Sequence, residues 1–552
     1  MQSRRTFLAS SLLLATTSTL ALAGCSAGSG GSDGGAAVTI GMPNGSQTNN
    51  SNPFVATSSG RSLGYTQVIY EPLADWNSAN PAADPTPRLA ESWTWNEDYT
   101  QIELQVRQGV KWTDGKDLTA DDVAYSFQMR KDNDALNGDA LSIDKVEVNG
   151  QAVTVTFSES EFINAQKVLG TFIVPEHIWK DIADPTTDLN QAPVGSGPFV
   201  LKNWTNQAVT LEANPDYWGG KPAVPQLRYT SYNDNSALTT ALVNGDVQWG
   251  WTFIADFENV YVAKDEANHV WYPTNLGVDA LFLNTTRAPF NDPAMRKAVA
   301  MVIDREVISQ QASSGGSPAT TSVTGLPSPA GDDFVADEFK DQHYTPDVEG
   351  AKKVLSDAGY TLDGDTLKDK DGNPVSFTLT DPSGWADYLA ALQIIAENVK
   401  QLGISATVDA INQDTWVNNV ATGEFDAVLH WTDSGSTPWN LYANTMDGAF
   451  LKPVGESATW NYGRFESEEA TAALATYATA SSDEERASAL AQVQKIFVEQ
   501  VPVIVTTARP AFGEYSTKYY EGWPSEDDPY MTPDPTQFGS ALILTRLKPV
   551  AK

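Results

Sequence analysis

A single cysteine, Cys25, and only four histidines occur in 552 residues. Without a second thiol there is no internal disulfide and no cysteine-based metal site, so packing alone must hold the fold. His177, His269, His343 and His430 are scattered and lack the spacing of metal ligands, so no metal is expected. Basic residues are scarce too: 35 Lys and Arg stand against 70 Asp and Glu, a formal net charge of −35 in a chain only 19% charged. Such a field repels nucleic acid, which is excluded as a partner. Catalytic signatures are missing: there is no G-x-S-x-G, H-E-x-x-H or Walker loop, and the calcium-like run 365–373 lacks its closing glutamate. Seventy acids place some pair at glycosidase spacing by chance, so acids alone identify no hydrolase. The expectation is a protein that is not an enzyme and carries no cofactor, with a secreted hydrolase as the remote alternative.

Long apolar runs are absent except one, residues 7–23, which follows Arg4-Arg5 and ends at Leu22-Ala23-Gly24-Cys25. It is too short and too rich in Ser and Thr for a permanent membrane span, and its basic flank is that of an export signal. Core thiols are common elsewhere, but they do not close an apolar leader directly before a polar tract. Ser3-Arg4-Arg5-Thr6-Phe7-Leu8 resembles the twin-arginine signal and Leu-Ala-Gly-Cys resembles the lipobox of bacterial lipoproteins. That resemblance implies removal of residues 1–24, lipid on Cys25, and a home on the outer face of the cytoplasmic membrane. The Gly- and Ser-rich stretch that follows is a flexible tether reaching about 20 Å.

The rest is longer than the roughly 250–300 residues at which one core stops growing, so two lobes are expected. Turn signals separate short apolar runs, with helices at intervals, which gives a mixed α/β class. Residues 102–106 (I-E-L-Q-V) alternate as a half-buried strand. Thr119 with Asp122 reads as a capping box for a helix carrying Val123 and Phe127. Residues 144–148 and 152–157 flank Asn149-Gly150, a hairpin signal. The glycine-rich Val194-Gly195-Ser196-Gly197-Pro198-Phe199 reads as a turn into a strand, because Pro198 argues against a phosphate-cradling helix start. Residues 281–284 read as a buried strand, and a helix starts near Asp292-Pro293. Thr345-Pro346 opens another that Gly359 closes, and a longer one spans 386–402 before Gly403 and the alternating Ile404, Ala406 and Val408. Asp369-Lys370-Asp371-Gly372 reads as a hairpin turn.

Several segments together resemble family 5 solute-binding proteins of ABC importers, the oligopeptide-, dipeptide- and nickel-binding group. They are Leu89-Ala90-Glu91-Ser92-Trp93, the run 111–123 (K-W-T-D-G-K-D-L-T-A-D-D-V), Gly195-Ser196-Gly197-Pro198-Phe199, Asn214-Pro215-Asp216-Tyr217-Trp218, Met295-Arg296-Lys297-Ala298-Val299 with Ile303-Asp304-Arg305, and Ala358-Gly359-Tyr360. The resemblance implies a two-lobed, type II periplasmic-binding-protein-like fold with an extra β-rich subdomain. Residues 1–24 would be the signal peptide and 25–37 the lipid-anchored linker. Residues 38–75, 194–275 and 500–552 would form one discontinuous lobe, 76–193 the inserted subdomain, and 276–499 the second lobe. The lobes would close on a soluble oligomer and present it to a permease with its ATPase, the protein acting as a monomer. A chemosensory receptor domain would use the same cleft.

Sixteen tryptophans suit a ligand with apolar faces and polar edges, such as a β-linked sugar. Trp93, Trp95, Trp112, Trp204 and Trp218 belong to the general motifs or their surroundings and read as core. Trp385, Trp416, Trp431, Trp439, Trp460 and Trp523 lie outside the motifs and are the candidate ligand platforms. The stretch 430–442 interleaves rings with Asp433, Asn440 and hydroxyls, and adds Tyr442 to the candidate site. Peptide-binding relatives resemble W-x-A-D-Y-x-D-P there, with an acid for the peptide amino terminus, a role open to Asp433 although the rest of that pattern is absent. Ser436-Thr437-Pro438-Trp439-Asn440 and the run 522–530 look like a subgroup that includes cello-oligosaccharide-binding proteins. Sugar oligomers are therefore expected ahead of peptides.

Overall fold

The computed structural model describes residues 35–45, 47–55 and 58–551. The leader, Cys25 and the linker up to residue 34 lie outside the described residues. Among the described residues no helix is long and apolar enough to cross a membrane.

Local signals set most elements. Gln101–Val106 is a strand with Ile102, Leu104 and Val106 buried. Helix Ala120–Asp132 starts at the expected box, the Thr119 N–H donating to the Asp122 carboxylate at 2.8 Å, with Val123 and Phe127 fully buried beneath it. Strands Ile143–Asn149 and Ala152–Phe157 form the hairpin, but Asn149 pairs with Ala152, so the two-residue turn is Gly150-Gln151. Gly150 supplies the positive φ, 63°, that this tight turn needs. The helix expected from Thr345-Pro346 begins later, as Val348–Asp357. Asp347 caps it, its carboxylate accepting the Gly350 N–H at 2.8 Å, because a carboxylate caps better than the threonine upstream. The glycine-rich turn leads into strand Phe199–Trp204, as expected. A side chain at Gly195 would place its Cβ 1.9 Å from the Ile69 carbonyl oxygen, so here glycine permits backbone to lie on backbone.

Among the described residues, three larger sheets organise the fold. A seven-stranded sheet, with Val38–Met42 parallel to Gln226–Ser231 near its middle, carries one core. A five-stranded sheet of Ser405–Ile411, Ser376–Pro382, Ala427–Trp431, Val278–Leu283 and Val503–Ala508 divides two others. Alternate residues of Val278–Leu283 face opposite cores, Leu281 and Leu283 one way and Val278, Ala280 and Phe282 the other, the pattern of a strand covered on both faces. The four-stranded sheet holds Ala90–Trp95, Gln101–Val106, Ala152–Phe157 and Ile143–Asn149, with Trp112 in its core.

One expected boundary moves. Residues 500–552 were expected in the first lobe, yet Val503–Ala508 is hydrogen-bonded to Val278–Leu283 in the five-stranded sheet. Its residues are all buried, Ile504 in one core and Val503 and Val505 in the other, a burial that only this sheet, covered on both faces, offers. The chain therefore passes between the two large sheets at 272–277 and returns at 509–512. The motif 214–218 joins the four-stranded sheet to the first lobe: the Tyr217 hydroxyl and Trp218 Nε1 donate to buried Glu71 at 2.7 and 2.8 Å, and Arg88 pairs with the same carboxylate at 3.0 Å.

Candidate ligand-binding cleft

A cavity of about 410 Å³ opens where the chain passes between the large sheets. Asn275, Gly277, Arg509, Pro510 and Ala511 form its floor at the two crossings. One wall carries Trp76 and Trp251, another carries Gln166 and Lys167 from the short helix Ala165–Leu169, and a third carries residues 431–434. A second hollow of about 780 Å³ shares Trp251, Asp534, Gln537 and Phe538 and extends the space past Asn44 and Arg61.

The third wall is pinned by hydrogen bonds beyond the end of strand Ala427–Trp431. The Thr432 N–H donates to the Val278 carbonyl at 2.9 Å, and the Asp433 N–H to Asn444 Oδ1 at 2.8 Å. The Asn440 amide donates to the Ser434 carbonyl at 2.9 Å. These contacts turn Asp433 and Ser434 into the cavity, where both line it.

Of the residues expected at the site, Trp431 and Asp433 line the cavity. Trp431 presents less open face than expected, since it stacks on His430 at 4.1 Å and lies under the Arg509 guanidinium at 4.7 Å. Asn440 is a strut for the loop. Trp439 packs against the second-lobe core from the start of helix Trp439–Met446. Three expectations are overturned by burial. Tyr442 is 0% exposed, its hydroxyl donating to the Thr324 carbonyl at 3.0 Å. Trp416 is 2% exposed and stacks on His430. Trp523 is 6% exposed, edge-on to Trp249, with its N–H spent on the Tyr520 carbonyl at 3.1 Å. Trp385 and Trp460 are half-buried supports, Trp385 edge-on to Trp416 at 4.9 Å and Trp460 edge-on to His430 at 5.9 Å. Neither lines the cavity.

Sequence reasoning missed Trp76, Trp251, Gln166, Lys167, Arg509 and Asp534. The signal for Arg509 was topological: residues where a chain passes between two lobes line whatever gap the lobes leave.

The charges are balanced across the cavity. Burial raises the Asp433 carboxyl above its ordinary range, while Lys167 and Arg509 pull it back. Burial pushes Asp534 up to about 6, against hydrogen bonds from Thr536 at 2.7 and 2.8 Å. Burial pushes His430 down to about 4, so it is neutral at neutral pH. Three uncharged polar atoms on lining residues, Trp76 Nε1, Gln166 Oε1 and Ser434 Oγ, are buried without a partner among the described residues. Among the described residues no cluster of His, Cys, Asp or Glu could hold a metal.

Two α/β lobes joined by two short crossings around such a cleft define a periplasmic-type binding protein. Residues 84–450 match the family model described as bacterial extracellular solute-binding proteins, family 5 Middle, and the chain belongs to that family. It is 29% identical over 371 residues to the oligopeptide-binding protein AppA of Bacillus subtilis, a match spanning 62% of this chain and 65% of that protein. It is 25% identical over 488 residues to di/tripeptide-binding protein 2 of Pseudomonas aeruginosa, covering 82% of this chain and 86% of that one. A periplasmic oligopeptide-binding protein of an ABC transporter from Thermotoga maritima superposes with a TM-score of 0.81 at 23% identity, over 93% of this chain and 99% of that chain. The same Thermotoga protein in a mannohexaose-bound structure gives a TM-score of 0.72 at 23% identity, over 94% and 99%. Family membership sets the protein among binding proteins rather than enzymes.

Proposed function

We propose that the protein is the extracytoplasmic receptor of an ABC importer and that its cleft takes a neutral, hydroxyl-bearing oligomer, a β-linked oligosaccharide. The observation that carries this reading is a cavity lined by three indoles, Trp76, Trp251 and Trp431, together with the neutral hydrogen-bonding side chains of Gln166, Asn275 and Ser434. Amides and a hydroxyl can both donate and accept, which suits sugar hydroxyls, while indoles suit the C–H faces of sugar rings. The continuous second hollow gives an oligomer room beyond the first units. Lipid on Cys25 would hold the receptor near its permease, where it works as a monomer. The first lobe would comprise 38–75, 194–275 and a final segment beginning at 509, with 76–193 inserted.

A second reading, an oligopeptide, has its own support. Asp433 faces the cleft within electrostatic reach of Lys167 and Arg509, a pattern that would match the charged ends of a peptide, and the two sequence relatives above are named as peptide binders.

A thermal-shift panel of mannohexaose and cello-oligomers against di- to nonapeptides separates the readings. A cognate ligand at a hundred times its dissociation constant stabilises the fold by about 2.7 kcal/mol. Shifts with sugars, which remain chemically intact, are expected. Shifts with peptides alone would reverse the ligand class, and shortened sugar products would overturn the receptor reading.

A further inference from the structure

The two lobes meet at a third place besides the crossings. Helix Asp483–Gln500 of the second lobe carries Arg486 in its first turn, its guanidinium 4.7 Å from the Tyr99 ring and 4.3 Å from the Phe162 ring, both in the inserted segment. One Arg486 nitrogen donates to the Glu97 carbonyl at 3.2 Å, and another pairs with Asp483 at 2.9 Å. Phe162 also meets Tyr477 edge-on at 5.5 Å, and Tyr99 stacks on Trp95 at 5.0 Å. Rings and guanidinium thus run unbroken from the core of the insert to that of the second lobe. Tyr99 adopts a φ of 57°, a left-handed conformation uncommon for an aromatic residue, and so places its ring against the cation.

The insert side of this clasp is stiff and short. Glu161 is buried and accepts from the Ser142 N–H at 2.6 Å, the Ser142 hydroxyl at 2.8 Å and the Asn164 amide at 2.9 Å. The turn Phe162–Asn164 leads directly into helix Ala165–Leu169, which carries Gln166 and Lys167 into the cleft wall. An opening that moves the insert away from the second lobe would part Arg486 from Tyr99 and Phe162.

We propose that Arg486, outside the cleft, is a positioning residue for ligand capture: it clasps the insert to the second lobe and thereby sets Gln166 and Lys167 against the bound oligomer. This rests on the cleft being the binding site. The clasp then parts for ligand to enter or to leave and re-forms around it, so its loss speeds dissociation. A cation held between two rings and largely shielded from water suits this role, because such contacts strengthen as they lose solvent.

The test combines small-angle scattering of the ligand-free protein with titrations of mannohexaose, cellohexaose and a nonapeptide. Arg486→Ala is expected to enlarge the radius of gyration. It should also weaken whichever probe the wild type binds about tenfold, mainly through faster dissociation. Arg486→Lys keeps the charge without the flat fork and is expected to fall between, so a poorly folded alanine variant leaves the test intact. A double-mutant cycle with Gln166→Ala reads positioning itself: the two losses should be non-additive by fivefold or more. Unchanged scattering, or losses that simply multiply, overturns the clasp. If the wild type binds no probe, the cleft reading is what fails, and the scattering arm still judges the clasp.

Discussion

Segments 430–442 and 513–534 both reach the cavity, and they use their aromatic rings in opposite ways. In the first, Trp431 ends a strand with its ring at the cavity edge, braced by His430 and Arg509. In the second, Tyr515 and Trp523 stack at 5.3 Å inside the first-lobe core beside Trp249, and the segment reaches the cavity through Asp534. The indole N–H of Trp523 is satisfied within the chain, and that of Trp249 donates to the Pro533 carbonyl at 2.5 Å. A ring enclosed on its faces and satisfied at its edge stabilises the fold, whereas a ring on a gap between lobes has something left to offer a ligand.

The sharpest way to break this contrast is Trp523→Ala. Removing a buried indole from a packed core is expected to cost about 3–5 kcal/mol of unfolding free energy. Affinity of the folded fraction should be nearly unchanged. Chemical denaturation and a titration on the same sample check this, and a variant of wild-type stability with lost affinity would move Trp523 back to the cleft.

Glu514 tests the same segment by pH. Its carboxyl is buried, one oxygen accepting the Thr252 N–H at 3.2 Å and the other without a partner among the described residues, and burial, reinforced weakly by Asp534, pushes it up to about 8 from an ordinary 4.5. Between those values the unfolded chain has lost a proton that the folded chain keeps. Stability is therefore fully present below about 4.5 and declines as pH rises through about 8, by up to about 1.4 kcal/mol per unit. Glu514→Gln should match the wild type near pH 4.5 and exceed it at pH 8.5. Denaturation curves with the same pH slope in both proteins would show that Glu514 is already ionised in the fold.

Much of the architecture was legible because its signals are local. Alternation at 101–106, the Thr119 and Asp122 box, and Gly403 after helix Ala386–Lys400 are each read within a few residues. The cleft was legible only in part. Composition singled out 430–442, and Trp431 and Asp433 do line the cavity, but Tyr442 lies one helical turn beyond, where the helix has already turned into the core. Trp76, Trp251 and Arg509 escaped because their role depends on which sheets face each other, a long-range fact that no window of sequence contains. The boundary at 500 failed for the same reason: 503–508 is a strand in either lobe, and pairing with Val278–Leu283 decides which.

Trp431→Ala sharpens the comparison from the cleft side. Its ring is partly covered by His430 and Arg509, so the expected loss is about 1–2 kcal/mol in affinity, below that of a fully enclosed hot spot. The melting temperature should fall far less than for Trp523→Ala. A drop as large as that of Trp523 would make both segments core and erase the distinction.

The smallest expected effect discriminates ligand chemistry. In Asp433→Asn the side chain keeps its size and loses its charge, in a loop whose backbone is fixed by Asn444 and Asn440 rather than by the carboxylate. A sugar hydroxyl donating to Asp433 would exchange a charge-assisted hydrogen bond for a neutral one, a difference of about 1 kcal/mol, or roughly fivefold. A peptide ammonium would lose its counter-ion in a partly desolvated cleft and keep Lys167 and Arg509 as repelling neighbours, a cost of about 2–5 kcal/mol and thus thirtyfold or more. The variant also removes the partner of those two cations, so a ligand with a carboxylate end should gain at that end part of what it loses at the other. Titrations with a sugar and with two peptides, one amidated at its C-terminus, resolve the three patterns, and a fivefold or smaller loss for sugars is the result expected here.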